Sequence, residues 1–540
     1  MTESPPSALA PFRHHAFTVY WLTGLAANFG WLIQGVGASW AMTAMDGRPE
    51  MVALVQSSVA LPIMLFSLPA GALSDAFGRR ATVLWSQAWL LVVSSVLALA
   101  AWADWLSPWS LLAFTFLIGS GKALNNPGWQ TMVTELVPKS DLAPAIAMNS
   151  VGFNLARSVG PAIGGILVGA FGAFAAFLVN ALANLTMILA ASRWRLAPPD
   201  TTLPPEGIAS AMAAGLRFVA MSPGHLAVLL RGFWMNAAGI SVLALMPLVA
   251  RDHLGGGPGT YGLLLGGFGI GAVAGAFAGT RLRARFRLET CVRAGFVICA
   301  GGTGLLAAAT VLPLSLLGAG LAGAAWLVTL SSFNTKVQLS SPRWVLSRAQ
   351  ALYMSSNFAG NALGGLVWGM TAGALGTGTA LGLSALALVL GAGIGLIRPL
   401  RDHGDDDLTT GAPWVTPEAS IDMLPTSGPI VVTLTYRIRV ADQPEFLGLM
   451  AQRRRARLRD GARGWTLSRD IMEPEIWYER YRTPTWIETR RHHLRRTAAT
   501  ARISEALRRL QQGGPWQAHY ELIRPAVPPH RHPPMVWTEE

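Results

Sequence analysis

Charge is what this sequence of 540 residues has least of: only 13% of residues are Asp, Glu, Lys or Arg, while 51% are hydrophobic. Soluble domains carry about 25% charged residues, so a chain built mainly of them is excluded. Cysteine is nearly absent. Cys291 and Cys299 are the only two, which excludes a disulfide framework and leaves them as small apolar packing residues. Carboxylates are missing where they would be most telling. Before residue 402 they are Glu3, Asp46, Glu50, Asp75, Asp104, Glu135, Asp141, Asp200, Glu206, Asp252 and Glu289, all near the ends of apolar segments or in loops. No metal-ligand spacing or nucleophile arrangement is present, so neither cofactor nor catalytic role is expected. No basic stretch is interleaved with aromatics on a polar surface, which argues against nucleic acid. The stretch through Pro11, Arg13, His14 and His15 lacks a small-residue cleavage pattern, so the first apolar segment is expected to be retained.

What the chain has is length without charge. Twelve apolar segments of roughly 20 residues, enough to cross ~30 Å of hydrocarbon, follow one another. They lie near 17–45, 50–72, 81–103, 107–134, 143–169, 172–193, 225–250, 258–281, 290–312, 313–333, 346–372 and 374–397. The expected fold is an all-α membrane protein of twelve transmembrane helices in two pseudo-symmetric six-helix halves. With both termini cytoplasmic, the inner connections hold Arg13, Arg79, Arg80, Lys139, Arg193, Arg195, Arg217, Arg281, Arg283, Arg285, Arg287, Lys336, Arg343, Arg348, Arg398 and Arg401. The outer ones hold Arg48 and Arg251. That is the positive-inside pattern, which orients the spans and sets the basic loops against lipid headgroups; the expected location is a plasma membrane.

The halves repeat. Pro138 and Pro342, Gly160 and Gly364, Gly165 and Gly369, and Gly71-Ala72 and Gly275-Ala276 all share one offset of 204 residues. The expected domains are 1–198, a central loop 199–224 with an amphipathic run, 225–400, a linker 401–427, a soluble domain 428–525 and a tail 526–540. Parallel halves place a binding cavity at their interface near the bilayer midplane.

Between the second and third segments lies Gly71-Ala72-Leu73-Ser74-Asp75-Ala76-Phe77-Gly78-Arg79-Arg80, read as a polar hairpin. It resembles motif A of the major facilitator superfamily. The fifth segment carries Gly160-Pro161-Ala162-Ile163-Gly164-Gly165, similar to the motif C of that superfamily's antiporters. With Asn126-Pro127-Gly128-Trp129-Gln130, Leu136-Val137-Pro138 and Asn154-Leu155-Ala156-Arg157, residues 12 to 400 resemble the branch containing the enterobactin exporter and related bacterial efflux proteins. The resemblance implies a secondary exporter of a small molecule, coupled to protons. It also implies that 71–80 is a gating element holding the cytoplasmic side closed, with Asp75 facing the N-terminal end of span eleven, where a helix favours negative charge. Gly71 and Gly78 permit a tight turn, and Arg79 and Arg80 are candidates to pair with Glu135. In the second copy of the motif Gly279 stands where Asp75 has its counterpart.

Intramembrane charge is costly and usually functional. Lys122 and Arg157 fall mid-span and are candidates for the cavity with Gln34, Asn126 and Gln130; a cationic cavity favours an anionic or catechol-like substrate. Arg231 and Arg293 sit nearer span ends and are expected to snorkel to the headgroups. For proton coupling the chain offers only Asp46 and Glu135.

After Leu400 the chemistry changes. The order strand 429–440, helix 445–458, strands 464–470 and 475–481, helices 486–497 and 501–510, and strand 519–523 is a β-α-β-β-α-β pattern with a split helix. That is a C-terminal α+β ferredoxin-like domain, resembling the dimeric α/β-barrel domains related to antibiotic-biosynthesis monooxygenases. Homodimerisation is the partner this implies. The basic run Arg453 to Arg459 reads as a face for acidic lipids, and His492 and His493 as a solvated helix face. Trp477 and Trp486 read as core. The alternative function is a membrane-anchored enzyme or sensor acting through this domain, but an anchor needs no matched halves.

Overall fold

A computed structural model describes residues 9–138, 140–194, 208–342, 344–397, 399–400, 420–495, 497–514 and 518–524. Residues 401–419 of the expected linker, the tail 526–540, Lys139 and Arg343, and the side chains of Asp75, Gln130 and Glu135, lie outside the described residues. The chain divides into two compact units, one helical and one α+β.

In the helical unit the elements are α1 (His15–Met45), α2 (Pro49–Phe77), α3 (Arg79–Trp102), α4 (Pro108–Leu136), α5 (Leu142–Phe171), α6 (Ala173–Arg193), α7 (Ile208–Ala220), α8 (Pro223–Leu248), α9 (Pro258–Arg285), α10 (Leu288–Ala308), α11 (Leu312–Leu339), α12 (Leu346–Leu375) and α13 (Thr377–Ile397). All but α7 have 21 to 31 residues. Ten helices among the described residues are long and apolar enough to cross a membrane. Of the twelve longer helices, the two that fall short are α4 and α12. They are long enough, but Lys122, Asn125, Asn126 and Gln130 in one, and Gln350, Asn357 and Asn361 in the other, reduce their hydropathy.

Starts are set by local chemistry. Pro stands at the beginning of α2, α4, α8 and α9, where its missing N–H costs nothing. Ser107 adds a capping box to α4 by accepting from the Ser110 backbone N–H. Alternate helices run in opposite directions. We call the end bearing His15, Phe77 and Ile397 the terminal face, and the end bearing Met45 and Pro258 the opposite face.

The packing of the first six long helices repeats in the last six. The contacts α1–α6, α1–α5, α2–α4, α3–α4 and α3–α6 correspond to α8–α13, α8–α12, α9–α11, α10–α11 and α10–α13. Two symmetric seams join the sets, α2 against α12 and α5 against α9. Each set also has a neutral polar tie. In the first, Asn180 donates to Gln34 Oε1 (2.8 Å) and Ser94 Oγ (2.9 Å), joining α6, α1 and α3. In the second, Ser241 and Ser384 share a hydrogen bond of 2.6 Å between α8 and α13.

The smaller unit runs β1 (Ile430–Arg437), α14 (Gln443–Arg459), β2 (Arg463–Arg469), β3 (Ile476–Thr483), α15 (Trp486–Leu494), α16 (Ala498–Leu510), β4 (Ala518–Leu522). Its sheet has the order β2-β3-β1-β4, each neighbouring pair antiparallel. Period-two alternation buries Ile430, Val432, Leu434 and Tyr436 of β1 with Phe446 and Met450 of α14 and Leu507 of α16.

Candidate functional site

The segment 71–80 is not a hairpin. α2 stays helical through Phe77, and the whole turn is one residue, Gly78, at φ +86°. Only Gly78 therefore uses the freedom that glycine gives; Gly71 lies within the helix. Arg80 does not use its Nε and Nη2 on a carboxylate: they donate to the Ala191 and Ser192 carbonyls (3.0 and 2.6 Å), satisfying the end of α6. α4 comes close here as well, since a Cβ on Gly128 would sit 3.2 Å from the Arg79 carbonyl.

Aromatic side chains tie α1 to α4 and α5. Tyr20 stacks on Trp129 with ring centroids 3.8 Å apart and donates to the Trp129 carbonyl, while Asn149 donates to Tyr20 Oη. Nearer the terminal face, His14 Nε2 lies 2.9 Å from Asp141 Oδ2.

Lys122 and Arg157 each stand about 14 residues from either end of their helices, roughly 21 Å at 1.5 Å per residue. Neither side chain can reach a headgroup from there. Each lies instead over an aromatic ring: Lys122 Nζ is 5.4 Å from the centroid of Trp31, and the Arg157 guanidinium carbon 5.7 Å from that of Phe268. Asn126 is exposed. Gln34 is not; it is 2% exposed and held by Asn180, so it belongs to the internal tie of the first set and not to a cavity wall.

The glycines of 160–165 work on two neighbours. A Cβ on Gly160 would meet Leu32, and one on Gly164 would lie 3.2 Å from Ile33 Cα, so these two let α1 approach. Gly165 faces Gly262 of α9, and a Cβ there would stand 2.7 Å from the Pro258 carbonyl. Pro161 offers no N–H, and its own carbonyl is 2.9 Å from where a Cβ on Gly262 would be. The α2–α12 seam is similar: Ser57 donates to the Ala362 carbonyl (2.8 Å), and Gly365, Gly369 and Gly373 admit Ser57, Ala53 and Glu50. Trp40 stacks near Tyr261, and Arg251 reaches the Thr43 and Gly47 carbonyls. These contacts between the two sets lie from the midplane to the opposite face.

Arg231 does not snorkel. It is 3% exposed and bidentate to Glu289, at 2.6 and 3.1 Å, with the Leu400 N–H donating to the same carboxylate. Asp46, on the opposite face, is beside Arg48, whose guanidinium holds its carboxyl below the usual range. It stays ionised and is a poor proton carrier.

In the smaller unit the basic run does not form one face: Arg454 and Arg455 are exposed, while two of its arginines turn inward. Arg453 and Arg457 are buried, and both donate to Glu479, which is 0% exposed and also accepts from Tyr436 Oη and Trp465 Nε1. Burial alone would push that carboxyl up, but the two guanidiniums outweigh it and hold it at about 2. His492 and His493 are buried too. Arg457 Nη1 lies 3.1 Å from His492 Nε2, and His493 Nε2 is 3.3 Å from Tyr520 Oη. Among the described residues no group of His, Cys, Asp and Glu could hold a metal ion.

A family described as transmembrane secretion effector matches residues 6–524. The multidrug efflux pump Tap of Mycolicibacterium fortuitum is 27% identical over 396 residues, 70% of this chain and 94% of the pump. Tap of Mycobacterium bovis is 28% identical over 216 residues, 38% of this chain, which thus spans about half (51%) of that relative. The staphyloferrin A transporter of Staphylococcus aureus is 26% identical over 162 residues, covering 29% and 40%. Among solved structures, a bacterial homologue of the human lysosomal transporter Spinster, inward-facing and occupied, aligns with TM-score 0.59 at 15% identity, covering 72% of this chain and 97% of that one. A human organic anion transporter aligns with TM-score 0.51 at 18% identity, covering 72% and 100%. At these identities the likeness is one of fold.

Proposed function

The chain belongs to the transmembrane secretion effector family of the major facilitator superfamily, and from that premise we propose that it exports a small molecule across a bacterial plasma membrane by alternating access. It is a transporter and not an enzyme. The reading has twelve spans, α4 and α12 included, with the terminal face and both termini in the cytoplasm. The observation that carries it is the pair of glycine-lined seams, α2–α12 and α5–α9, which hold the two six-helix sets together from the midplane to the opposite face. Sets tied firmly within themselves and joined by close but mostly unbonded backbone can part as bodies. In this reading the described arrangement is the state sealed on the outside.

Lys122 and Arg157 are the cavity cations, resting on Trp31 and Phe268 until an anionic substrate competes for them. An anionic or siderophore-like metabolite or drug fits that chemistry, and relatives include a multidrug efflux pump and a staphyloferrin A transporter. Proton coupling rests on the family alone, with Asp46 disfavoured and Glu135 the carboxylate left. The smaller unit has the strand order of a ferredoxin-like domain and serves as a regulatory or dimerising module.

The test compares secreted metabolites, without preselection, between cells with and without the protein, and repeats the comparison with Lys122→Gln and Arg157→Gln. An anionic compound that disappears from the medium in the deletion and in both variants supports the proposal. Identical media overturn it. Export by a chain ending at Arg401 would show that the smaller unit is not the active part.

A further inference from the structure

The opposite face carries one contact that the seams do not explain. At the end of α1 the Asp46 and Gly47 N–H groups both donate to the Met42 carbonyl. The Thr43 carbonyl is thereby left for a donor from elsewhere, at the negative end of a helix. That donor comes from the other six-helix set. Arg251 Nη1 donates to Thr43 O at 3.4 Å and Nη2 to Gly47 O at 3.2 Å. Asp252, next in the chain, holds the same guanidinium through Nε (2.6 Å) and Nη2 (3.2 Å). The backbone that presents Arg251 is a single π-helical turn, Val249–His253, just after Pro247 in α8. Such turns re-aim side chains and recur at functional sites.

Gly47 and Arg251 are 204 residues apart, the same offset that relates the halves in the sequence. They are therefore equivalent positions, and a contact between equivalent positions falls on the pseudo-twofold axis. An opening of the opposite face cannot leave it intact, because the two sets separate across that axis.

We propose that Arg251 is the outer latch of the transport cycle, closing the opposite face by capping the end of α1 and releasing it when that face opens. Asp252 is the positioning residue that keeps the guanidinium aimed across the axis. Gly47 is its seat: it has φ +66°, and a Cβ there would stand 2.6 Å from Arg251 Nη1. The proposal rests on the alternating-access reading above and adds the residue that biases it.

The experiment measures distances in the full-length protein. Cys291 and Cys299 are replaced by serine, and spin labels are placed at Trp105→Cys and Val311→Cys, exposed sites at the opposite end of each set. Charged hydrogen bonds are strong enough for Arg251→Ala to raise the ratio of open to closed distances on the order of tenfold. Gly47→Asn, which tolerates positive φ but occupies the seat, should do the same with Arg251 intact. Arg251→Lys should fall with the alanine variant, since an ammonium cannot span both carbonyls and Asp252. An unchanged distribution in a folded Arg251→Ala protein overturns the latch. If that variant does not fold, an unchanged Gly47→Asn protein overturns it. A wild-type protein that exports nothing yet shows these shifts would remove the transport reading and leave the latch.

Discussion

Removing one partner of the Arg231–Glu289 pair gives the sharpest test of the packing. Glu289→Gln keeps the shape and an acceptor for the Leu400 N–H, but takes the counter-charge from a guanidinium that is 3% exposed. Stranding a buried charge costs about 3–5 kcal/mol. Replacing both, as Arg231→Met with Glu289→Met, removes the stranded charge; what remains is the Leu400 N–H without its acceptor, about 1–3 kcal/mol. The protein has its own probes for this. Cys291 and Cys299 are buried in α10, the helix that begins beside Glu289, so a thiol-reactive dye reports unfolding on heating. The single variant should melt about 5 °C or more below wild type, and the double variant should recover a good part of that. A single variant melting within about 1 °C of wild type would refute the claim that the pair is desolvated and mutually dependent.

Three further outcomes are expected. Gly165→Leu should insert normally but lose export, because its side chain meets the Pro258 carbonyl and Gly262 backbone where α5 and α9 touch; a vesicle flux assay with a membrane-integration control checks this. Asp75→Asn should likewise abolish flux without loss of insertion, and normal flux would sink the gating role given to 71–80. In the smaller unit, Glu479 is held at about 2 against an ordinary 4.5, so its contribution is complete above about 4.5 and lost as pH falls toward 2. Hydrogen exchange of peptides from 430–483, corrected for intrinsic rate, should show protection falling across that window and not above it.

The apolar segments were legible because membrane length and hydropathy leave little choice: residues 17–45 were expected and His15–Met45 is helical. The first strand of the smaller unit was legible from period two. What failed was pairing at a distance. Arg231 looked like a shallow cation because Glu289 stands 58 residues away. Arg453 and Arg457 are different, since the signal was present. Phe446, Met450, Arg453 and Arg457 are spaced four, three and four apart, so the arginines share the apolar stripe of α14. Reading the basic run by composition hid its period. Gln34 is a related case, bonded to Asn180 and not to a cavity: a polar residue inside a span looks the same in sequence whether it faces a cavity or another amide.

The one-residue turn at Gly78 makes chain length, more than residue identity, the constrained property of this joint. An inserted residue would rotate α3 by about 100° about its axis. Arg80 would leave the α6 carbonyls and the Arg79 backbone would leave Gly128. Substitutions in 71–80 can therefore be compared as changes of side chain, whereas any tag or insertion placed there re-phases a whole helix.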